Sequence, residues 1–162
     1  EETITRMYEE GTPPKIVVCD GIQDIRNIGA ISRSCLAFGV DLMIVGVKAN
    51  AEIGEGAIKS SAGALLTLTV ARVSSLSDTI NYLKSWGLKQ IATTEKAEKS
   101  LLADTFSELD AWVLWMGNED KGISKERLAL MDETVRINMP GKIDSLNVSV
   151  ATGIVLHQLT YK

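Results

Sequence analysis

The sequence predicts an α/β fold: a mostly parallel sheet with helices on both faces. Three observations lead there. Six short apolar runs are interleaved with segments of helical spacing, the order that builds parallel strands joined by crossover helices. The chain has 162 residues, enough for one domain with a real core. No internal repeat, low-complexity tract or obvious linker divides it, so a single domain over 1–162 is expected, with 1–12 a linker or an N-terminal helix.

The elements follow in order. Residues 15–19, β-branched and apolar, read as a buried strand. Residues 27–38 read as a helix with Asn27 as its N-cap and Gly39 as its stop. Residues 42–45 form the next strand. Residues 48–64, rich in Gly, Ala and Ser, read as a loop with a short helix near 55–61. Residues 66–73 alternate and read as a strand, 77–86 as a helix closed by Gly87, and 88–93 as a strand before a charged loop. Residues 112–116 are a strand. Ser124 caps a helix to about 131, 134–137 are the last strand, and a helix runs to the C-terminus. In such sheets ligands bind beyond the carboxyl ends of the strands. The first strand is not followed by G-x-G-x-x-G, which argues against a dinucleotide fold.

Composition narrows the function. The net charge of −4 argues against nucleic-acid binding through bulk positive charge, so any such role needs a local basic patch, pooled patches in a dimer, or another domain. No stretch approaches the apolar length that spans a bilayer, and the first residues do not read as a signal peptide. Cys19 and Cys35 read as buried free thiols, which suits a reducing cytosol and a cytoplasmic protein. Two Cys and one His at unrelated spacings predict no metal.

Three constellations stand out. In the first, over residues 20–33, Ile28, Ile31, Cys35 and Phe38 form an apolar stripe and Arg33 lies off it. Gly29 and Ala30 sit one turn before Arg33 and leave its side chain a path toward the helix start. There a guanidinium can meet a phosphate or carboxylate bidentately; the alternative is a surface Arg on a closely packed helix. The second is Gly117-Asn118-Glu119-Asp120-Lys121-Gly122-Ile123-Ser124, a glycine-bracketed charged turn between strand and helix. Its amides suit an anionic or polar ligand, although an ordinary βα turn also accounts for it. The third is the run from Ile137 through Met139-Pro140-Gly141 to Ser145-Leu146-Asn147. Met-Pro-Gly ends a strand abruptly, and capping explains only one of Ser145 and Asn147. Small residues at Ser149, Ala151, Thr152 and Gly153 permit close helix packing, within a subunit or across an interface. His157, on the same helix, reads as a packing or interface residue.

In this order the segments resemble the SpoU/TrmH family of RNA ribose 2′-O-methyltransferases. The family pattern looks like Asn-x-Gly-x-x-x-Arg, then Gly-Asn-Glu-x-x-Gly, then Ile-x-Met-x-Gly-x-x-x-Ser-Leu-Asn-Val-Ser-x-Ala. All three occur here, at 27–33, 117–122 and 137–151. Residues 59–64, Lys-Ser-Ser-Ala-Gly-Ala, also resemble a stretch of the rRNA-modifying branch.

The resemblance implies a C-terminal deep trefoil knot with 112–162 as a knotted cofactor-binding region, a feature that strand and helix spacing alone does not suggest. It implies S-adenosyl-L-methionine as methyl donor, with S-adenosylhomocysteine as product, a homodimer, and an rRNA or tRNA substrate with rRNA favoured. The cofactor contacts it implies are Gly117, Ile137 and Leu146, with Met139, Gly141 and Asn118 beside them. The catalytic set is Arg33, Asn27, Glu119, Ser145 and Asn147. Because a guanidinium keeps its proton, Arg33 is expected to hold a phosphate and steady the developing alkoxide rather than act as base. Arg26, Arg33, Lys121, Lys125, Arg127 and Lys142 form the candidate RNA-binding patch. Two departures stand out: Ile25-Arg26 replaces the Pro-x usual before Asn27, and nothing resembles the family's extra N-terminal RNA-binding domain. The alternatives are a non-catalytic RNA-binding or ribosome-assembly factor on the same scaffold and a flavodoxin-like small-molecule regulator.

Overall fold

In the computed structural model, residues 2–48, 50–102 and 105–161 are described; the outer bounds of the expected 1–162 domain lie outside them. The strands are β1 (Lys15–Asp20), β2 (Leu42–Gly46), β3 (Thr69–Val73), β4 (Lys89–Thr93), β5 (Trp112–Gly117) and β6 (Glu133–Val135). The helices are α1 (Glu2–Glu9), α2 (Ile25–Ala37), α3 (Glu55–Ser60), α4 (Leu76–Ser85), α5 (Lys125–Leu128) and α6 (Val148–Thr160). The strands form one sheet in the order β3-β2-β1-β5-β4-β6, and every neighbouring pair is parallel.

The apolar runs become central strands because both faces of the sheet are covered. Alternate residues of β1 serve opposite cores. Val17 and Cys19 pack with Ile28, Ile31 and Cys35 of α2 and Val155, Leu156 and Leu159 of α6. Ile16 and Val18 pack with Ile4 of α1 and with Ile80 and Leu83 of α4. Residues 1–12, expected as linker or helix, contain α1, which buries Ile4 and Met7. Its Tyr8 stacks on Trp86 at 5.1 Å and donates to the Trp86 carbonyl at 2.8 Å.

Several boundaries differ from expectation. Asp24, not Asn27, caps α2: its carboxylate accepts from the Arg26 amide at 2.8 Å, and the helix starts at Ile25. Asn27 therefore lies inside the first turn. The expected strand over 66–73 is shorter, because Gly63 at φ +85° starts a 3₁₀ turn, Ala64–Leu66, before β3. The helix expected from Ser124 to about 131 is the single turn α5, with Ser124 as its cap. Asp132 ends that segment: its carboxylate takes the Gln90 amide at 2.7 Å and Lys84 at 2.8 Å, which draws the chain into β6. The last strand stops at Val135, so Ile137 lies in the loop beyond it.

Helices α2 and α6 run side by side in the same direction. Asn147 bonds Asn27, an ideal Cβ on Gly153 would lie 3.8 Å from Ser34 Oγ, and Thr160 donates to the Phe38 carbonyl at 3.4 Å. These contacts step together along both helices, so the starts of α2 and α6 open at the same end of the sheet.

Candidate functional site

Both helix starts lie beyond the carboxyl ends of β1 and β5, which pair with Asp20 opposite Gly117. At β5 the chain turns through Gly117–Gly122. An added Cβ at Gly117 would lie 2.5 Å from the Gly122 carbonyl carbon and 2.6 Å from the Ile123 nitrogen, so only glycine fits. Asn118 organises the turn: its Oδ1 accepts from the amides of Asp120 at 2.9 Å and Lys121 at 3.0 Å, and its Nδ2 donates to the Gly21 carbonyl at 2.8 Å. The turn is thereby tied to the loop that leads into α2.

Between these anchors stands Glu119. Asn27 Nδ2 donates to Glu119 Oε1 at 2.5 Å, and Asn27 Oδ1 accepts from Asn147 Nδ2 at 3.1 Å. Asn147 also caps α6, its Oδ1 accepting from the Ser149 amide at 2.9 Å. One side-chain chain thus joins all three constellations, across 92 and 120 residues of sequence.

Beside it lies a cleft lined by Gly117, Asn118, Glu119, Ile137, Met139, Ser145 and Leu146. Five of the six expected cofactor residues line it. The sixth, Gly141, does not; an added Cβ there would meet nothing within 4 Å. Of the expected catalytic residues, Glu119 and Ser145 reach the cleft, and Asn27 and Asn147 join it through the hydrogen-bonded chain. Arg33 does not line it; it is exposed, and its side chain makes no hydrogen bond or ion pair among the described residues. The path expected for its side chain past Gly29 is closed, because Ser60 of α3 fills that space, 2.6 Å from an ideal Cβ.

Sequence reasoning missed much of the remaining wall of the cleft: Thr93 at the end of β4, Thr94 and Glu95 beyond it, with Asp144, Val148 and Ala151. The carboxyl end of β4 was the available signal. The Thr93 hydroxyl is buried and has no hydrogen-bond partner among the described residues.

The six patch cations divide into two kinds. Arg26 is held by Asp24, with Nη2 to Oδ2 at 2.6 Å, and Arg127 grips Asp20 bidentately at 2.6 and 3.0 Å. Lys121, Lys125 and Lys142 are exposed and, like Arg33, form no ion pair among the described residues. The buried thiols are inert: burial, helped by the charges of Asp20 and Glu119, pushes Cys19 up to about 12, and burial also raises Cys35 well above its ordinary value. His157 is exposed, edge-on to Phe38 at 6.1 Å, and lies apart from the cleft lining. Among the described residues there is no metal-binding cluster, and no helix is long and apolar enough to cross a membrane.

Comparison with known proteins points the same way. Residues 14–157 match the SpoU rRNA Methylase family. A Mycobacterium avium protein named as an uncharacterized tRNA/rRNA methyltransferase is 36% identical over 151 residues, 93% of this chain and 48% of its own length. The chain thus spans about half the length of the first curated relatives it matches. The SpoU methyltransferase AviRb from Streptomyces viridochromogenes, solved in complex with AdoMet, superposes with a TM-score of 0.83 at 27% identity, over 92% of this chain and 60% of AviRb. A structure described as an RNA 2′-O ribose methyltransferase gives 0.78 at 28% identity, over 90% and 55%.

Proposed function

The chain belongs to the SpoU rRNA methylase family, and from that premise we propose that it transfers a methyl group from S-adenosyl-L-methionine to a ribose 2′-hydroxyl of structured RNA. One observation carries the reading: the Glu119–Asn27–Asn147 chain draws the three motif segments together beside a cleft that Gly117, Ile137 and Leu146 line. The likeness to a 2′-O ribose methyltransferase supports the ribose oxygen as acceptor. The tRNA/rRNA naming of the relatives leaves both RNA classes in play; the segment over 59–64 favours rRNA.

The residues present fit the methyl donor. Gly117 lets the backbone of Gly122 and Ile123 fold close against the end of β5, which shapes the cleft floor, and the Thr93 hydroxyl, buried and without a partner among the described residues, is a donor at its wall, suited to a polar ligand. Gly117, Asn118, Ile137, Met139 and Leu146 would hold the molecule. When bound, it supplies an electrophilic methyl on a sulfonium and leaves as S-adenosylhomocysteine.

Positioning supplies much of the catalysis in such a transfer, because the accepting oxygen must lie in line with the methyl. Asn27, fixed by Glu119 on one side and Asn147 on the other, orients the RNA at the cleft mouth. Arg33, which pairs with no carboxylate among the described residues, holds a backbone phosphate and steadies the oxygen as its proton leaves to a neighbouring phosphate or water. The exposed Val150 and Ile154 of α6, with Gly153 between them, support a homodimer seated on this face. The reading also includes the trefoil knot over 112–162 and a cytoplasmic setting.

The test is transfer of radiolabelled methyl to rRNA and tRNA, followed by alkaline hydrolysis. Label in alkali-resistant dinucleotides is the expected result; label on bases alone sinks the ribose assignment. Arg33→Ala is expected to retain cofactor binding and lose transfer. Full activity in that variant refutes the role given to Arg33.

A further inference from the structure

Asp20 and Arg127 lie outside the motif pattern, yet they form the most enclosed ion pair described in the molecule. Asp20 is 5% exposed, and its carboxylate takes Arg127 Nε at 2.6 Å and Nη2 at 3.0 Å. Such a pair is a poor source of stability, because desolvation offsets the attraction. Burial raises the Asp20 carboxyl above its usual range even against the pull of Arg127. Its placement suggests another use. Asp20 ends β1 opposite Gly117, and Arg127 sits in α5, a helix of four residues too short to hold itself. Turn Gly117–Gly122 lies between them. Asn118 ties the near end of that turn to Gly21, and the Asp20–Arg127 pair ties the segment beyond its far end to β1.

We infer that the Asp20–Arg127 pair is a positioning device for the methyl-transfer site, acting through the Gly117–Gly122 turn to hold Glu119 against Asn27. The inference rests on the proposed function only for its kinetic consequence. The structural consequence concerns the Asn27–Glu119 hydrogen bond itself.

The test uses Arg127→Lys, which keeps the charge but loses the bidentate grip, and Asp20→Asn. A third variant, Asp20→Asn with Arg127→Gln, keeps an amide pair and leaves no charge buried alone, so a folded protein remains to be measured if a single change costs the fold. In asparagine-labelled protein the Asn27 side-chain amide resonance is expected to move toward its position in Glu119→Gln. Single-turnover transfer is expected to fall about tenfold to a hundredfold, while S-adenosylmethionine affinity stays within about threefold. Folded variants with a wild-type Asn27 resonance overturn the inference. So does a rate loss that only tracks cofactor affinity and thermal stability, as a purely structural pair would give. If the unaltered protein methylates no RNA, the proposed function fails instead, and the Asn27 resonance still decides the role of the pair.

Discussion

Replacing Gly117 by alanine tests whether the turn is a shaped floor or a passive link. An ideal Cβ there lies 2.5 Å from the Gly122 carbonyl carbon, 2.6 Å from the Ile123 nitrogen and 2.8 Å from Ile123 Cγ1. Two of the three neighbours are backbone, so a rotamer change cannot relieve the clash. To reach even 3.0 Å, the shortest separation real Cβ atoms show, the turn must move by about half an ångström. Overpacking of this kind costs about 1–3 kcal/mol. For a chain of this size that lowers Tm by about 2–12 °C. The same movement carries Asn118 and Glu119, whose bonds to Gly21 and Asn27 measure 2.8 and 2.5 Å. Cofactor affinity is therefore expected to fall about tenfold or more, equivalent to ~1.4 kcal/mol. Calorimetry with S-adenosylmethionine and thermal unfolding measure both. Gly141→Ala, where the added Cβ meets nothing within 4 Å, is the control. A Gly117→Ala protein with wild-type affinity and wild-type Tm refutes the argument.

Thr93→Val removes the buried hydroxyl that has no partner among the described residues; apo stability is expected to hold or rise slightly, while cofactor affinity weakens by the ~0.5–1.5 kcal/mol of one hydrogen bond, read by calorimetry. Asn147→Ala removes the cap of α6 together with the bond to Asn27, and urea unfolding is expected to show a loss of about 1 kcal/mol. Asp132→Asn tests an acid-sensitive contact. Burial alone would raise the Asp132 carboxyl, but hydrogen bonds from Lys84 and the Gln90 amide outweigh it and hold it below the usual carboxylate range. A depressed folded value means stability present above the unfolded value near about pH 4 and lost as pH falls through the folded value. The wild-type advantage over Asp132→Asn is therefore expected near neutral pH, at ~0.2–1 kcal/mol because the pair is partly exposed, and to vanish at lower pH in urea titrations.

Most of the sheet was legible because a strand covered on both faces must be an apolar run, as residues 15–19, 42–45 and 112–116 are. Local competition was less legible. Asp24 and Asn27 are both good caps, and only the reach of the Asp24 carboxylate to Arg26 decides between them. Gly29 illustrates a different limit. Its smallness was read along its own helix, but α3, arriving from thirty residues later in the chain, fills the space. Thr93 and Thr94 carry no local mark of function; they matter because β4 lies next to β5 in the sheet. The Asp20–Arg127 pair spans 107 residues, and no spacing rule links its members.

The acidic balance of the chain does not oppose an RNA substrate once the charges are sorted by their partners. A net charge of −4 is a sum over the whole surface, whereas at physiological salt a phosphate senses charges within about 8 Å. The two arginines that geometry removes from the patch, Arg26 and Arg127, are each neutralised by a neighbouring carboxylate. The four patch cations that form no ion pair among the described residues sit on segments in or next to the site. Arg33 is on α2 beyond Asn27, Lys121 lies within the Gly117–Gly122 turn, Lys125 opens α5, and Lys142 belongs to the loop that lines the cleft. Unpaired cations carry no internal desolvation debt and remain available to an incoming anion, whereas paired ones must first surrender a carboxylate. Glu119 stands among them with its carboxylate held by the Asn27 amide, which fixes where that negative charge sits.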